Sequence, residues 1–353
     1  MFLILLSIPL FIANRISRFR RGLRQRLRLG LVALSLLAPI SLFAAATPAT
    51  NPPPRTPTLC IVIGAFGELE FGSNFLRQAI LWQKAAAQGG CHEITIGLGN
   101  ENPTNDLERL RQTLEAEPKT GREEFWLVLI GHGTFDGKEA LFNLRGPDLS
   151  ATDLAQWLQP FQRPIAVVDT ASASAPFLAK LSGTNRVIVS ATRSGNEKNF
   201  TRFGQYLAEA ISDPQADLDK DGTVSLLEAF LIASRRAAEF YKGEGRLASE
   251  HALIDDNGDG LGTQADWFRG LRAVKMAKEN AAVDGPLANQ FRLVPSESDS
   301  KLSADQRSRR DALERAVFAY RERKSQVPEA EYYRELEKLL LQLARVYGSG
   351  GNQ

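Results

Sequence analysis

Cysteine and histidine are scarce in this 353-residue chain, with two of the first and three of the second. Neither Cys60 nor Cys91 sits in C-x-x-C or any other metal-ligand spacing, which removes cysteine-built metal sites from consideration. No G-x-S-x-G run marks a serine nucleophile elbow. Acid is missing from residues 14–28, which hold seven arginines: Arg15, Arg18, Arg20, Arg21, Arg24, Arg26 and Arg28. The apolar run Phe2–Ala13 is too short to span a bilayer comfortably, and Leu29–Ala46 is broken by Pro39.

Those arginines, the apolar run behind them and Ala44-Ala45-Ala46 have the order of a secretory signal, from basic region to apolar region to small-residue cleavage site. Residues 1–46 are therefore expected to be a signal peptide, or else an uncleaved membrane anchor. The chain is expected to be exported, to a periplasmic or extracellular place. Without this segment 36 basic residues face 41 acidic ones, so the formal charge of +2 becomes mildly negative. The arginine cluster gives no support for nucleic-acid binding, and membrane contact is expected only if the segment stays uncleaved. In an exported chain an even cysteine count permits a disulfide, and two ordinary buried thiols are the alternative.

Beyond it the composition is that of a globular protein, 43% hydrophobic and 24% charged. Residues 47–57 form a proline-rich linker. Five apolar runs of strand length follow, Leu59–Gly64, Glu93–Leu98, Phe125–Gly131, Pro164–Thr170 and Arg186–Ala191. Helical patterns over Phe75–Ala87, Thr104–Glu117 and Thr152–Leu158 separate most of them. Continuous apolar strands between helices predict an α/β fold with a mostly parallel sheet buried on both faces. Ligand sites of such sheets lie beyond the carboxyl ends of the strands. The ends here are small and polar, and one carries His132 between Gly131 and Gly133. A histidine placed there suits acid–base work near neutral pH, or else it bonds a turn backbone.

This order of motifs resembles the caspase–legumain–gingipain–separase peptidases over roughly residues 58–210. Gly131-His132-Gly133 ends one strand, and Ile165-Ala166-Val167-Val168-Asp169-Thr170 forms the next. The resemblance implies a three-layer sandwich, with His132 as the catalytic base and the nucleophilic cysteine at the position of Ala171. No cysteine follows Cys91, so the thiolate half of the dyad is absent. Ser172 and Ser174 are the nearby hydroxyls, and a one-residue slip would set Ser172 at the nucleophile position with Gly133 N–H as an oxyanion donor. The bland alternative makes both serines small residues opening a helix. Gly133, Asp169 and Arg193 are the expected substrate contacts, with Glu68, Glu70 and Arg145 as further candidates. Loop ion pairs are the alternative for the charged ones. The implied function is a peptidase homologue without activity that binds peptides or proteins. An active serine-type hydrolase and a structural envelope protein are the competing readings.

Residues 213–295 read as a helical extension carrying two acidic loops. The first, residues 217–228, has Asp217, Asp219, Asp221, Thr223, Ser225 and Glu228 at alternating and closing positions, with Gly222 at the turn. This is EF-hand spacing, which gathers hard oxygens around calcium. The second, residues 255–266, repeats it less completely with Asp255, Asn257, Asp259, Thr263 and Asp266. Calcium is expected in the first loop and is possible in the second. Residues 303–347 predict a helical hairpin broken at Pro328, with Tyr333, Leu336, Leu340, Leu343 and Tyr347 on one face.

Overall fold

All five apolar runs are strands. Those that begin at Leu59, Phe125, Pro164 and Arg186 bury side chains on both of their faces, whereas the strand His92–Ile96, at the sheet edge, buries only Ile96. The computed structural model describes residues 56–99, 105–279 and 282–348. The signal or anchor expectation for residues 1–46 lies outside them, as does most of the linker. Among the described residues no helix is long and apolar enough to cross a membrane.

In chain order the first half runs β1 (Thr58–Ile63), α1 (Leu69–Gly89), β2 (His92–Ile96), α2 (Asp106–Ala116) and β3 (Phe125–Ile130). Three short strands follow, β4 (Gly133–Phe135), β5 (Ala140–Phe142) and β6 (Leu149–Ser150), then α3 (Ala151–Leu158). Next come β7 (Ile165–Asp169), α4 (Ala175–Leu181), β8 (Arg186–Ser190) and α5 (Phe203–Ala210). The second half has α6 (Leu226–Gly243), β9 (Leu253–Asp255), β10 (Thr263–Gln264), β11 (Phe268–Arg269) and β12 (Arg272–Ala273). It ends with α7 (Glu297–Ser300), α8 (Ala304–Glu322) and α9 (Glu329–Gly348).

The main sheet has the order β10-β9-β8-β7-β3-β1-β2. Its β2, β1, β3, β7 and β8 are parallel, and β9 and β10 close one edge antiparallel. Alternate residues along each strand enter opposite cores. Ile61, Val128 and Val168 pack with Phe75, Leu207 and Phe230 of α1, α5 and α6. Val62, Leu127 and Val167 pack with Leu110, Leu154 and Phe177 of α2, α3 and α4. A strand covered on both sides has no polar face, which explains the unbroken apolar runs.

The sheet does not stop near residue 212. Because β9 pairs with β8 and α6 shares the core of α1 and α5, residues 213–295 belong to the same layers. The second acidic loop therefore starts inside the sheet, at Asp255 of β9, and not apart from it. The last two helices pack on each other, with Tyr320 stacked on Tyr332 at 5.5 Å. Their contact differs from the expected face by one residue. Tyr332 and Val346 are buried, while Tyr333, Leu340 and Tyr347 remain exposed. Cys60 and Cys91 are not bonded to each other. Cys60 is buried within β1, and the Cys91 thiol is directed to the Leu293 carbonyl at 3.7 Å.

Candidate functional site

Adjacent parallel strands β3 and β7 deliver residues 131–133 and 170–174 to one end of the sheet, with Leu129 in register with Asp169. The glycines beside His132 are imposed by packing. A Cβ on Gly133 would stand 2.2 Å from the Ser172 carbonyl oxygen, and one on Gly131 would stand 2.9 Å from the Phe142 ring.

His132 is half-buried among aromatic rings. Phe71 and Phe75 meet it edge-on at 4.8 and 5.1 Å, and Phe200 lies at 6.4 Å. Its ring also bonds the Phe66 backbone. Burial lowers its pKa below the ordinary histidine value, only partly offset by the Phe66 bond. Among the described residues no carboxylate is bonded to its ring.

Ala171 occupies the expected nucleophile position and is 1% exposed. Its N–H donates to Asp169 Oδ1 at 3.0 Å. Ser172 Oγ accepts from Gly133 N–H at 3.2 Å and donates to the Gly133 carbonyl at 3.1 Å. Ser174 Oγ accepts from Thr192 N–H at 3.2 Å and lies 3.2 Å from Thr192 Oγ1. Both hydroxyls are thus engaged with protein groups other than His132. The N–H groups of Gly133 and Ala171 are likewise bonded within the protein, to Ser172 Oγ and Asp169 Oδ1. Ala173 holds the loop in a left-handed turn, φ 53°.

Asp169 was expected to touch substrate, but it is buried beneath the loop. Its Oδ2 has no partner, and burial pushes its pKa up to about 7. Arg193 is half-exposed and lies 3.3 Å from Glu197 Oε1. Glu197 also holds His251, with Nδ1 at 2.6 Å. Sequence reasoning missed that carboxylate–histidine pair, since 54 residues separate its members. Arg145 is bound to Asp106 at 2.7 Å, a loop ion pair. Glu68 and Glu70 start α1 and are exposed.

The two acidic loops fold alike. Carboxylate oxygens of Asp217, Asp219 and Asp221 lie within 4.8 Å of one another. Asp217 accepts from Lys220 N–H and Gly222 N–H, Asp219 from Asp221 N–H, and Asp221 from Thr223 N–H. Lys220 and Gly222 have φ of 62° and 91°. In the second loop Asp255 accepts from Gly258 N–H and Gly260 N–H, Asn257 from Asp259 N–H, and Asp259 from Leu261 N–H. Gly258 and Gly260 again have positive φ, 80° and 76°.

The closing carboxylates correspond too. Glu228, at the start of α6, accepts from Leu218 N–H (2.7 Å) and Asp219 N–H (3.3 Å) with one oxygen, and from Ser225 N–H and Oγ (both 2.8 Å) with the other. In the second loop the residue bonded in this way is Asp284. It accepts from Asp256 N–H (2.9 Å) and Asn257 N–H (3.1 Å), and its other oxygen accepts from Thr263 Oγ1 (2.6 Å). Asp266, the twelfth residue, lies instead in a 3-10 turn and lines a cavity with Glu250 and His251. A twelve-residue pattern has no means of finding a carboxylate that arrives from a separate segment. Burial and the neighbouring Asp221 and Glu228 raise the pKa of Asp219 to about 7, with Arg292 opposing the rise.

No family model and no curated protein matches the sequence. Among the solved structures similar to this chain are two caspases and a bacterial protein. The Drosophila initiator caspase Dronc is 14% identical, with 59% of this chain and 81% of that one covered at a TM-score of 0.37. A protein from Geobacter sulfurreducens is 12% identical, with 56% and 92% covered and a TM-score of 0.37. Caspase-1 from Spodoptera frugiperda is 11% identical, with 57% and 87% covered and a TM-score of 0.35.

Proposed function

We propose that this chain is an exported caspase/legumain-like peptidase homologue that does not hydrolyse peptide bonds and binds a peptide or protein beside His132. One observation carries this reading. His132 and Ala171 leave neighbouring parallel strands, as a catalytic dyad would, and the second position has no nucleophilic atom. The serine alternative gains no support, because Ser172 and Ser174 are buried and bonded to Gly133 and Thr192.

Calcium is the proposed structural partner of the acidic loops. Asp217, Asp219, Asp221 and Glu228 offer four carboxylates at the first, with the Thr223 carbonyl and Ser225 completing an oxygen set. Asp255, Asn257, Asp259 and Asp284 offer the matching groups at the second. Calcium abundant outside the cytoplasm would keep both filled and fasten α6 and β9 to the sheet.

The test is turnover of a mixed fluorogenic peptide and ester library in millimolar calcium. Wild type is compared with His132→Ala, Ser172→Ala and Ala171→Cys. Silence from wild type with turnover from Ala171→Cys supports a disarmed crevice. Wild-type turnover that disappears in both His132→Ala and Ser172→Ala rejects the proposal in favour of a serine hydrolase.

A further inference from the structure

The α8–α9 pair is held to the body by a buried ionic network, and one corner of that network belongs to the first acidic loop. The Arg292 side chain is only 6% exposed. Its Nη2 lies 3.0 Å from Asp221 Oδ2 and 3.5 Å from Glu314 Oε2 of α8. Its Nε and Nη1 are buried without a hydrogen-bond partner. Alongside, Arg310 pairs with Asp299 and Asp311, each at 2.7 Å, and Tyr347 near the end of α9 donates to Asp299 at 3.2 Å.

A buried guanidinium requires a compensating anion, and losing one partner of such a pair is costly. Arg292 finds its anions on two sides, Asp221 from the loop and Glu314 from the helix. Asp221 is at the same time one of the three carboxylates that converge in the loop. A divalent cation placed among them would draw on the Asp221 charge and set two positive charges beside the guanidinium, which repel it.

We propose that the loop cation and the α8–α9 pair compete for Asp221, with Arg292 as the coupling residue. A cation in the loop loosens the tie that docks the helices, and the docked helices lower the affinity of the loop for the cation. Linkage makes the two effects equal in size. The proposal rests on the cation-binding reading of residues 217–228.

The experiment titrates calcium chloride into the full chain by calorimetry and follows amide hydrogen exchange over residues 304–348. Arg292→Gln is expected to bind calcium about tenfold more tightly than wild type. Calcium is expected to speed exchange in the two helices of wild type severalfold. Asp221→Asn, which keeps the shape of the side chain and removes its charge, is expected to speed the same amides in metal-free protein. Equal calcium affinity in wild type and Arg292→Gln overturns the coupling alone. So does helix exchange that responds neither to calcium nor to Asp221→Asn. Absence of calcium binding in wild type and Arg292→Gln alike overturns the loop reading and the coupling together.

Discussion

Ser172 and Gly133 are joined by two reciprocal hydrogen bonds, hydroxyl to carbonyl at 3.1 Å and N–H to hydroxyl at 3.2 Å. The pair closes the space between the ends of β3 and β7, and it consumes a hydroxyl and an oxyanion donor together. Restoring a thiol at residue 171 would leave this lock in place. The double variant Ala171→Cys/Ser172→Ala is therefore expected to turn over peptides about a hundredfold to a thousandfold faster than Ala171→Cys alone, the range for one oxyanion donor. Equal rates from the two variants would mean that the Gly133 N–H is not a limiting donor.

The His132 ring contributes packing as well as polarity. Replacing it by alanine removes edge contacts to Phe71, Phe75 and Phe200, and is expected to cost about 1–2 kcal/mol in urea unfolding. Its pKa is depressed in the folded state, so the unfolded chain binds the proton more readily. Stability from this group is complete above the ordinary histidine value of about 6.5 and falls as pH drops below it. His132→Ala should flatten that part of the pH profile. An unchanged slope between pH 5 and 7, taken as a rough window, would contradict this.

Asp169 gives the opposite slope. Its carboxyl is raised to about 7 by burial, so the folded state binds the proton more readily. Its share of stability is full at low pH and is lost as pH rises from the ordinary aspartate range, about 4, through the folded value. Asp169→Asn keeps the acceptor for Ala171 N–H and cannot ionise. It should be more stable than wild type at about pH 8 by on the order of 1–3 kcal/mol, with the difference vanishing near pH 4. Parallel pH profiles for the two proteins would show that Asp169 does not titrate there.

Calcium stoichiometry separates the two candidates for the closing ligand of the second loop. Wild type is expected to bind two ions by equilibrium dialysis, and Asp266→Asn to keep both. Asp284→Asn is expected to keep one, and to lose part of the calcium-dependent gain in Tm, since a ligand stabilises only while it binds the native state. Loss of an ion from Asp266→Asn with none lost from Asp284→Asn would return the role to Asp266.

The sheet was legible because its strands are buried on both faces, which writes unbroken apolar runs into the sequence at Leu59, Phe125 and Ile165. The first acidic loop was legible because its oxygen-bearing side chains alternate within a single run of twelve residues. What lay beyond reach depended on distance along the chain. Glu197 with His251, Arg292 with Asp221, and Asp284 with the second loop are pairings that no local pattern records. The antiparallel strand β9 was missed because three residues, Leu253–Asp255, are too few to show alternation. The face of α9 slipped by one residue because Tyr332 and Tyr333 are both aromatic, and only the stack on Tyr320 chooses between them.

Asp284 makes the two acidic loops unequal in how they form during folding. The first closes a ring of 12 residues, from Asp217 to Glu228, and the second a ring of 30, from Asp255 to Asp284. Closing the longer ring costs about 0.8 kcal/mol more chain entropy. Only one of the two can assemble from local sequence before the sheet edge exists. As the protein folds, the first loop is therefore able to organise around α6 early. The second cannot close until the distant segment carrying Asp284 arrives beside β9.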